Sequence, residues 1–465
     1  MDQKREELLE KFDVKKALIK LSIPATFAMI VTALYNLVDT IFVGRGVSDI
    51  AIGALTIANP VQMIVMAFAL MIGIGSSSIF SRAFGEGNKD KMRRSVNTAI
   101  IMGIVLSVVV AIVGLIFLDE MLYLFGARGQ TLEYAHEYLF YILIGLVPFS
   151  LSVIFNNLAR AEGRAKIAMI SMIIGAGVNI ILDPIFIFDW GLNLGVRGAA
   201  IATIIAKTAS FIYVFFASLS SRSHLNIDLK KIYQVDLKMA GEITAIGFPS
   251  FVRNALGAVL VILITNLIIG LVPGDESGIY ISIFGVINRL LMFLMMPGFG
   301  LVQGLQPIVG YNFGAKLYQR LYDVIGYAKN LMIIYFIGVL ILAFIFAPQL
   351  FMLFSEERNE IFMSVGPQAL RYVLLGFLLV GFQIILSSVY QAMGYPVRAF
   401  FIAMSRQFIL FIPLVFLFTY LWGVSGIWYT FMASDLIAGL ISYIVFKFEM
   451  KDLKKKIPAD INLAV

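Results

Sequence analysis

Two aspartates lie inside long apolar stretches of this chain: Asp39 in YNLVDTIFVGR (35–45) and Asp183 in NIILDPIFIF (179–188). Carboxylates in such surroundings can hold a cation or exchange a proton, and ionisable side chains within apolar spans mark ion or substrate paths. Asn179 lies one helical turn before Asp183, and Pro184 follows it. At helical spacing Ser171, Gly175, Asn179 and Asp183 form one polar stripe, and Thr32, Asn36 and Asp39 form another with Tyr35 beside it. A third stripe runs Tyr134, Tyr138, Tyr141, Gly145, Pro148, Ser152 and Asn156. Any one of these could be hydrogen-bonding glue between helices. Two stripes that each end in a carboxylate read instead as a site. Pro184 removes its own N–H and displaces the carbonyl of Ile180, so a hinge is expected where Asp183 sits, with Pro24 and Pro249 offering hinges elsewhere.

The elements that position these groups follow from composition. Of 465 residues 60% are hydrophobic and 14% charged, and the mean hydropathy is +0.91, which describes an all-α integral membrane protein. Cysteine is absent and there are two histidines, His136 and His224, which excludes disulfides, thiol chemistry and a zinc cluster. Lys4, Arg5, Lys11, Lys15 and Lys16 precede the first apolar run without a small-residue cleavage site, so no signal peptide is expected. Twelve spans are expected near 17–43, 51–80, 96–118, 134–155, 166–188, 197–218, 243–271, 279–308, 324–347, 366–390, 398–421 and 425–447. Basic residues set their orientation. Arg82, Lys89, Lys91, Arg93 and Arg94, then Arg160, Arg164 and Lys166, then Arg222, Lys230, Lys231 and Lys238, and finally Lys451, Lys454, Lys455 and Lys456 mark one side as cytoplasmic. The intervening loops carry Asp119, Glu120, Asp275, Glu276, Glu356, Glu357 and Glu360. Both termini are therefore cytoplasmic, and the net charge of +7 serves topology rather than nucleic-acid binding. Counted from the outer loops, Asp39 and Asp183 lie at a shared depth of about 8–10 Å.

The chain also repeats itself. Pro24 answers to Pro249; RAFGEGN at 82 to GYNFGAK at 310, aligning Gly85 with Gly314; ARAEGRAKIA at 159 to YQAMGYPVRA at 390, Gly163 with Gly394; and LDPIFIF at 182 to FIPLVFLF at 411, Pro184 with Pro413. Two six-helix lobes are expected, related by an axis along the membrane normal: residues 1–218, a cytoplasmic linker 219–240, and 241–465. A cleft between them is the expected path.

These residues resemble the multidrug and toxic compound extrusion (MATE) family over the whole chain, through the early Pro24, YNLVDTIFVGR, GVNIILDPIFIF and GVRGAAIAT, and most closely its archaeal and bacterial DNA-damage-inducible branch. The resemblance implies a coupling-cation site at Asp39, Asn179, Asp183 and Thr203, with Ala199 one turn before Thr203. It also implies that Tyr35, Tyr138 and Asn156 line an N-lobe cavity, to which the stripes add Asn36 and Ser152. Na⁺ wants several oxygen ligands, which this set offers, and two crowded carboxylates could take a proton instead.

The second half departs from the first. Asp183 aligns with Ile412 and Lys207 with Asp435, leaving Arg253, Arg289 and Arg406 near mid-depth against one acid. Two readings stand: a structural charge network around Asp435, or a cleft that attracts anionic or lipid-like substrates. The expected function is multidrug efflux, antiport of amphipathic small molecules against H⁺ or Na⁺ by alternating access. The alternative is a flippase for lipid-linked sugars. No catalytic triad, metal cluster or nucleotide loop is visible, and GIGSSSIFSRAFGEG (73–87) lacks a P-loop pattern. An ion gradient is then the energy source, with no cofactor and no enzymatic step. The expected setting is the plasma membrane of a prokaryote, as a multi-pass monomer.

Overall fold

A computed structural model describes residues 9–220, 223–225, 227, 236–274, 276–354 and 359–457. Lys4, Arg5, Arg222, Lys230, Lys231, Asp275, Glu356 and Glu357 lie outside the described residues, as does most of the expected linker. The membrane helices are α1 (Val14–Gly46), α2 (Asp49–Gly85), α3 (Lys89–Ile116), α4 (Gly129–Ile144), α5 (Leu146–Ala161), α6 (Ala165–Ile187) and α7 (Gly195–Leu219) in the first half. The second half has α8 (Leu237–Leu271), α9 (Glu276–Gly314), α10 (Tyr318–Ile345), α11 (Glu360–Met393), α12 (Pro396–Trp422) and α13 (Ser425–Lys455). Eleven of these are long and apolar enough to cross a bilayer singly, and α4 with α5 make a twelfth span bent by 59°. Among the described residues there is no strand. The twelve spans form two lobes of six.

Helix ends are set by local chemistry. Asp13, Asn88, Asp236 and Asn359 cap α1, α3, α8 and α11, each accepting the N–H three residues on at 3.0–3.1 Å. The Lys16 N–H, helped by Lys15 and Lys16 charge, holds the Asp13 carboxyl below its ordinary value of 3.8. A depressed acid stabilises the cap above that ordinary value and loses the effect as pH falls further, so this cap is in force throughout the neutral range. At the other ends, Gly163 and Gly394 both take left-handed backbone (φ 80° and 79°). Each is followed by the same bond, Arg164 N–H to Ala159 O and Tyr395 N–H to Tyr390 O, both 2.8 Å. The repeat read from sequence is thus a repeat of geometry.

Two expectations change. The fourth span is not one helix: it breaks at Gly145, because Pro148 has no N–H to offer Ile144, and a side chain at Gly145 would strike Ile204. Conversely α1, α6 and α8 run unbroken through Pro24, Pro184 and Pro249, so none of the three expected hinges interrupts its helix here. Pro184 stands only four residues from the C-cap Phe188, whose N–H bonds the Pro184 carbonyl at 3.3 Å, so little helix remains beyond it.

The lobes meet at the end bearing the basic loops. There the backbones touch through glycine. An added methyl on Gly85 would overlap the Tyr311 carbonyl, and one on Gly314 the Arg82 carbonyl; these two contacts are each other's images, since 85 and 314 are counterparts in the repeat. Gly75 and Gly247 seat on the Ile243 and Met71 carbonyls, joining α2 to α8, while Gly300 and Gly304 seat on Thr26 and Ser22, joining α9 to α1. Ser78 Oγ donates across the seam to Gln391 O (2.5 Å), and Arg82 reaches Glu242 (3.1 Å). Toward the other end the approach loosens. Gly257 meets only Met63 Cε at 3.4 Å, and Gly53, Gly278 and Gly285 meet nothing within 4 Å. The apolar core follows suit: one cluster joins the basic end of the N-lobe to the whole depth of the C-lobe, while the far half of the N-lobe, from Val43 to Ala200, packs as a separate core.

Gly85→Ala and Gly314→Ala should act alike, because each drives a methyl into a backbone carbonyl that no side-chain rotation can clear. Labelling of a cysteine at Ser78, in this chain without native cysteine, should accelerate by about tenfold in both, a bias of only about 1.4 kcal/mol. Unchanged labelling in either variant would show that the seam absorbs a methyl by sliding.

Candidate functional site

The stripes on α1 and α6 converge inside the N-lobe. Asp183 and Asn179 are buried, and Asn179 Nδ2 donates to Asp183 Oδ1 at 2.9 Å and, more weakly, to Thr203 Oγ1 of α7 at 3.4 Å. Asp39, half-buried, brings its carboxyl within interaction range of Asp183. Ala199 is fully buried one turn before Thr203, where a close approach of α7 to the Phe186 carbonyl is possible only because residue 198 is glycine. Of the expected set, Asp39, Asn179, Asp183 and Thr203 come together from three helices, and Ala199 lies buried one turn before Thr203.

What the set lacks is partners. Asp39 Oδ1, Asn179 Oδ1 and Asp183 Oδ2 are all buried without a hydrogen-bond donor. Unmatched buried oxygens are costly, and three on two carboxylates and an amide suit a proton or a hard cation. Among the described residues no group of three or more His, Cys, Asp or Glu that could hold a metal ion gathers. Lys207 acts on Asp39 at longer range but closes no ion pair; its ammonium rests over the rings of Tyr35 (5.1 Å) and Phe149 (5.7 Å).

The residues expected to line a substrate cavity divide. Tyr138 is buried near the carboxyls and close to Gln62 of α2, Tyr35 is half-buried, and Asn36 is exposed. Ser152 and Asn156 are not cavity residues in this state. Ser210 of α7 takes Ser152 Oγ at 3.0 Å and Ser171 Oγ at 2.7 Å, and Asn156 Nδ2 donates to Ser152 O at 2.8 Å, all buried. The lower part of the third stripe is glue, as is the start of the α6 stripe. Sequence reading missed Ser210 and Gln62; Ser210 lies one turn after the noted Lys207, and its spacing was the signal available.

In the C-lobe the expected four-member network does not form. Asp435, 1% exposed, is gripped by both Arg406 Nε and Arg406 Nη2, the latter at 3.2 Å. Arg406 lies in a π-helical segment, Ser405–Phe411, just before Pro413, where the widened turn re-aims its side chain. Arg253 reaches only Ser250 Oγ at 3.5 Å, and Arg289 is exposed, so neither belongs to the pair.

Family comparison agrees with this architecture. The family described as MatE matches residues 24–185 and again 249–417, once per lobe and in the register of Pro24 and Pro249. The chain belongs to the MatE family. Like other MATE proteins it is a multi-pass membrane transporter. The multidrug export protein MepA of Staphylococcus aureus (strain MSSA476) is 29% identical over 94% of each chain. A crystal structure of MATE in complex with MaL6 superposes with a TM-score of 0.88 at 26% identity, over 97% of this chain and 99% of that one. A multidrug resistance MATE family transporter described in the outward-facing conformation gives 0.87 at 26% identity, over 97% and 98%.

Ser210→Ala separates packing from ion handling. Losing two hydroxyl bonds at about 0.6 kcal/mol each should lower the thermal unfolding midpoint while leaving ion-dependent transport intact. Loss of ion dependence in a stable Ser210→Ala protein would return this hydroxyl cluster to the ion path.

Proposed function

We propose that this MATE protein is a secondary exporter in which H⁺ or Na⁺, bound at Asp39, Asn179, Asp183 and Thr203 with the Ala199 carbonyl, drives amphipathic small molecules out of the cell. The observation that carries the reading is the set of three buried, unpartnered oxygens on Asp39, Asn179 and Asp183. Adjoining carboxyls that each keep one buried oxygen without a donor gain most from an arriving positive charge. The names of its relatives, multidrug export and multidrug resistance, support the substrate class.

The positive-inside rule places the basic end, and with it both termini, in the cytoplasm. The glycine seam then closes the inner face, and the loosened half opens outward. In that shape the ion site lies in the separate outer core of the N-lobe, beside the open cleft. Exchange follows from electrostatics. Two carboxyls in one dry pocket repel, one bound cation or proton relieves the repulsion, and helix packing around α1 and α6 can then tighten. Lys207, held on aromatic faces, leaves the carboxylates free for the exchanged ion. Tyr35 and Asn36 are on the side available to substrate, so entry of one ligand at Asp39 disfavours the other. Hinge action at Pro24, Pro184 or Pro249 belongs to the ion-bound shape, since all three helices are continuous in this one. The protein works as a monomer in a prokaryotic plasma membrane, without a cofactor.

Substrate efflux from proteoliposomes under separately imposed pH and Na⁺ gradients tests this directly. One gradient should drive efflux in the wild type, and Asp39→Asn and Asp183→Asn should each abolish it in protein that still inserts and folds. Efflux at the wild-type rate in either variant removes the carboxyl pair from coupling. Pro184→Ala should weaken coupling while leaving ion binding; full coupling there would place the bend elsewhere. For topology, a membrane-impermeant thiol reagent should label a cysteine at Trp190 from outside and one at Lys455 only from the cytoplasm. The reverse pattern would invert the assignment of faces.

A further inference from the structure

A second charged pocket lies away from the carboxyl pair, in the seam at the basic end. Arg160, in the last turn of α5, is 9% exposed. Among the described residues it makes no hydrogen bond or ion pair, and no acidic group bears on it. The acids of this end are committed elsewhere: Glu162 to Arg164 (3.5 Å) and to the His224 N–H (2.5 Å), Glu242 to Arg82 (3.1 Å). Arg160 lines a pocket that both lobes build, with Ser81 and Asn157 on its own side and Gln303, Gln306 and Ala392 opposite. The room is about that of one water-sized body.

A largely buried guanidinium that opens only onto a small pocket and has no counter-charge is unfavourable, and a water molecule would solvate it without neutralising it. The pocket has donors to spare. Arg160 has five N–H groups, of which the unpartnered Gln303 Oε1 can use one. Asn157 has given one amide hydrogen to Val153 O (2.8 Å) and keeps the other, and the Gln306 amide is free of partners. The geometry points to a binding site for one small monovalent anion of chloride size between Arg160, Asn157 and Gln306. Because the walls come from both lobes, the site exists only while the seam is shut, and an anion there favours the seam-shut shape over any other.

The test uses the intact protein in detergent. Thermal unfolding is followed as gluconate is replaced by chloride at constant Na⁺ and ionic strength, alongside labelling of a cysteine at Ser22, which faces Gly304 across the seam. Chloride should raise the midpoint saturably and slow the labelling, with bromide acting likewise. Arg160→Gln and, with the guanidinium retained, Gln306→Leu should each raise the half-saturating chloride by at least about tenfold, the loss of about 1.4 kcal/mol of binding. Crystals grown with bromide should show one anomalous peak beside the Arg160 guanidinium. Equal stability in gluconate and chloride, or a bromide-soaked wild type with no peak in this pocket, overturns the proposal. A chloride response that persists unchanged in both variants overturns it as well.

Discussion

A carboxyl group inside a bilayer-spanning bundle must have its charge answered by the protein or by something the protein binds, and the N-lobe is arranged around that requirement. Asp183 is fully buried, with one oxygen held by Asn179 and the other left open. Asp39 on α1 is brought against it, which sets the approach of α1 to α6. Residue 198 must be glycine so that α7 can lie on the Phe186 carbonyl and present Ala199 and Thr203. The hydroxyls of Ser152, Ser171 and Ser210 lock α5, α6 and α7 further down. This framework is braced by its own hydrogen bonds, and at its outer end the described residues leave oxygens of Asp39, Asn179 and Asp183 without a donor.

The seam suits the complementary need of the proposed exporter, that two lobes part and rejoin without a large cost. Lipid tails are as apolar as leucine, so helices in a bilayer gain little by hiding apolar side chains from each other. Glycine contacts suit a reversible joint, because bare backbone on backbone gives close packing with few side chains to reorder. The pseudo-two-fold axis makes the joint economical: the contact Gly85–Tyr311 and its image Gly314–Arg82 come from one ancestral surface used twice. Polar bonds such as Ser78 to Gln391 add direction to the joint.

Much of this was legible in the sequence, for definite reasons. Apolar runs between basic and acidic loops show spans because a bilayer allows only helices there, and the carboxylates showed themselves by being costly. Gly163 and Gly394 aligned because both must end a helix in left-handed backbone. The break at Gly145 was less plain, since Pro148 is tolerated in many membrane helices and the deciding contact, Ile204, lies in another span. No helix break appears at Pro24, Pro184 or Pro249 in this state, because a proline permits a bend while neighbours decide whether the bend is made. Ser152 and Asn156 were misplaced in a cavity because a stripe shows which face is polar, not what faces it. The role of Gly75, Gly300 and Gly304 was hidden because a glycine in a membrane helix is common, and only the partner backbone reveals its purpose.

The two lobes then differ in a way that assigns them different work. Where the N-lobe has Asp183, the C-lobe has Ile412; where it has Lys207, the C-lobe has Asp435. In the C-lobe the acid and base close on each other, Asp435 held at two points by Arg406, and a π-helical turn is spent on aiming that arginine. A carboxylate gripped this way is already neutralised, and removing its partner would strand a buried charge, so ion exchange there is unfavourable. In the N-lobe the base is turned aside onto Tyr35 and Phe149, and the acids face each other instead. The same duplicated bundle thus carries one lobe whose charge is settled internally and one whose charge is left for solution to settle. On the proposed function, an ion gradient would therefore act on the second, with the N-lobe repacking against the C-lobe as a frame.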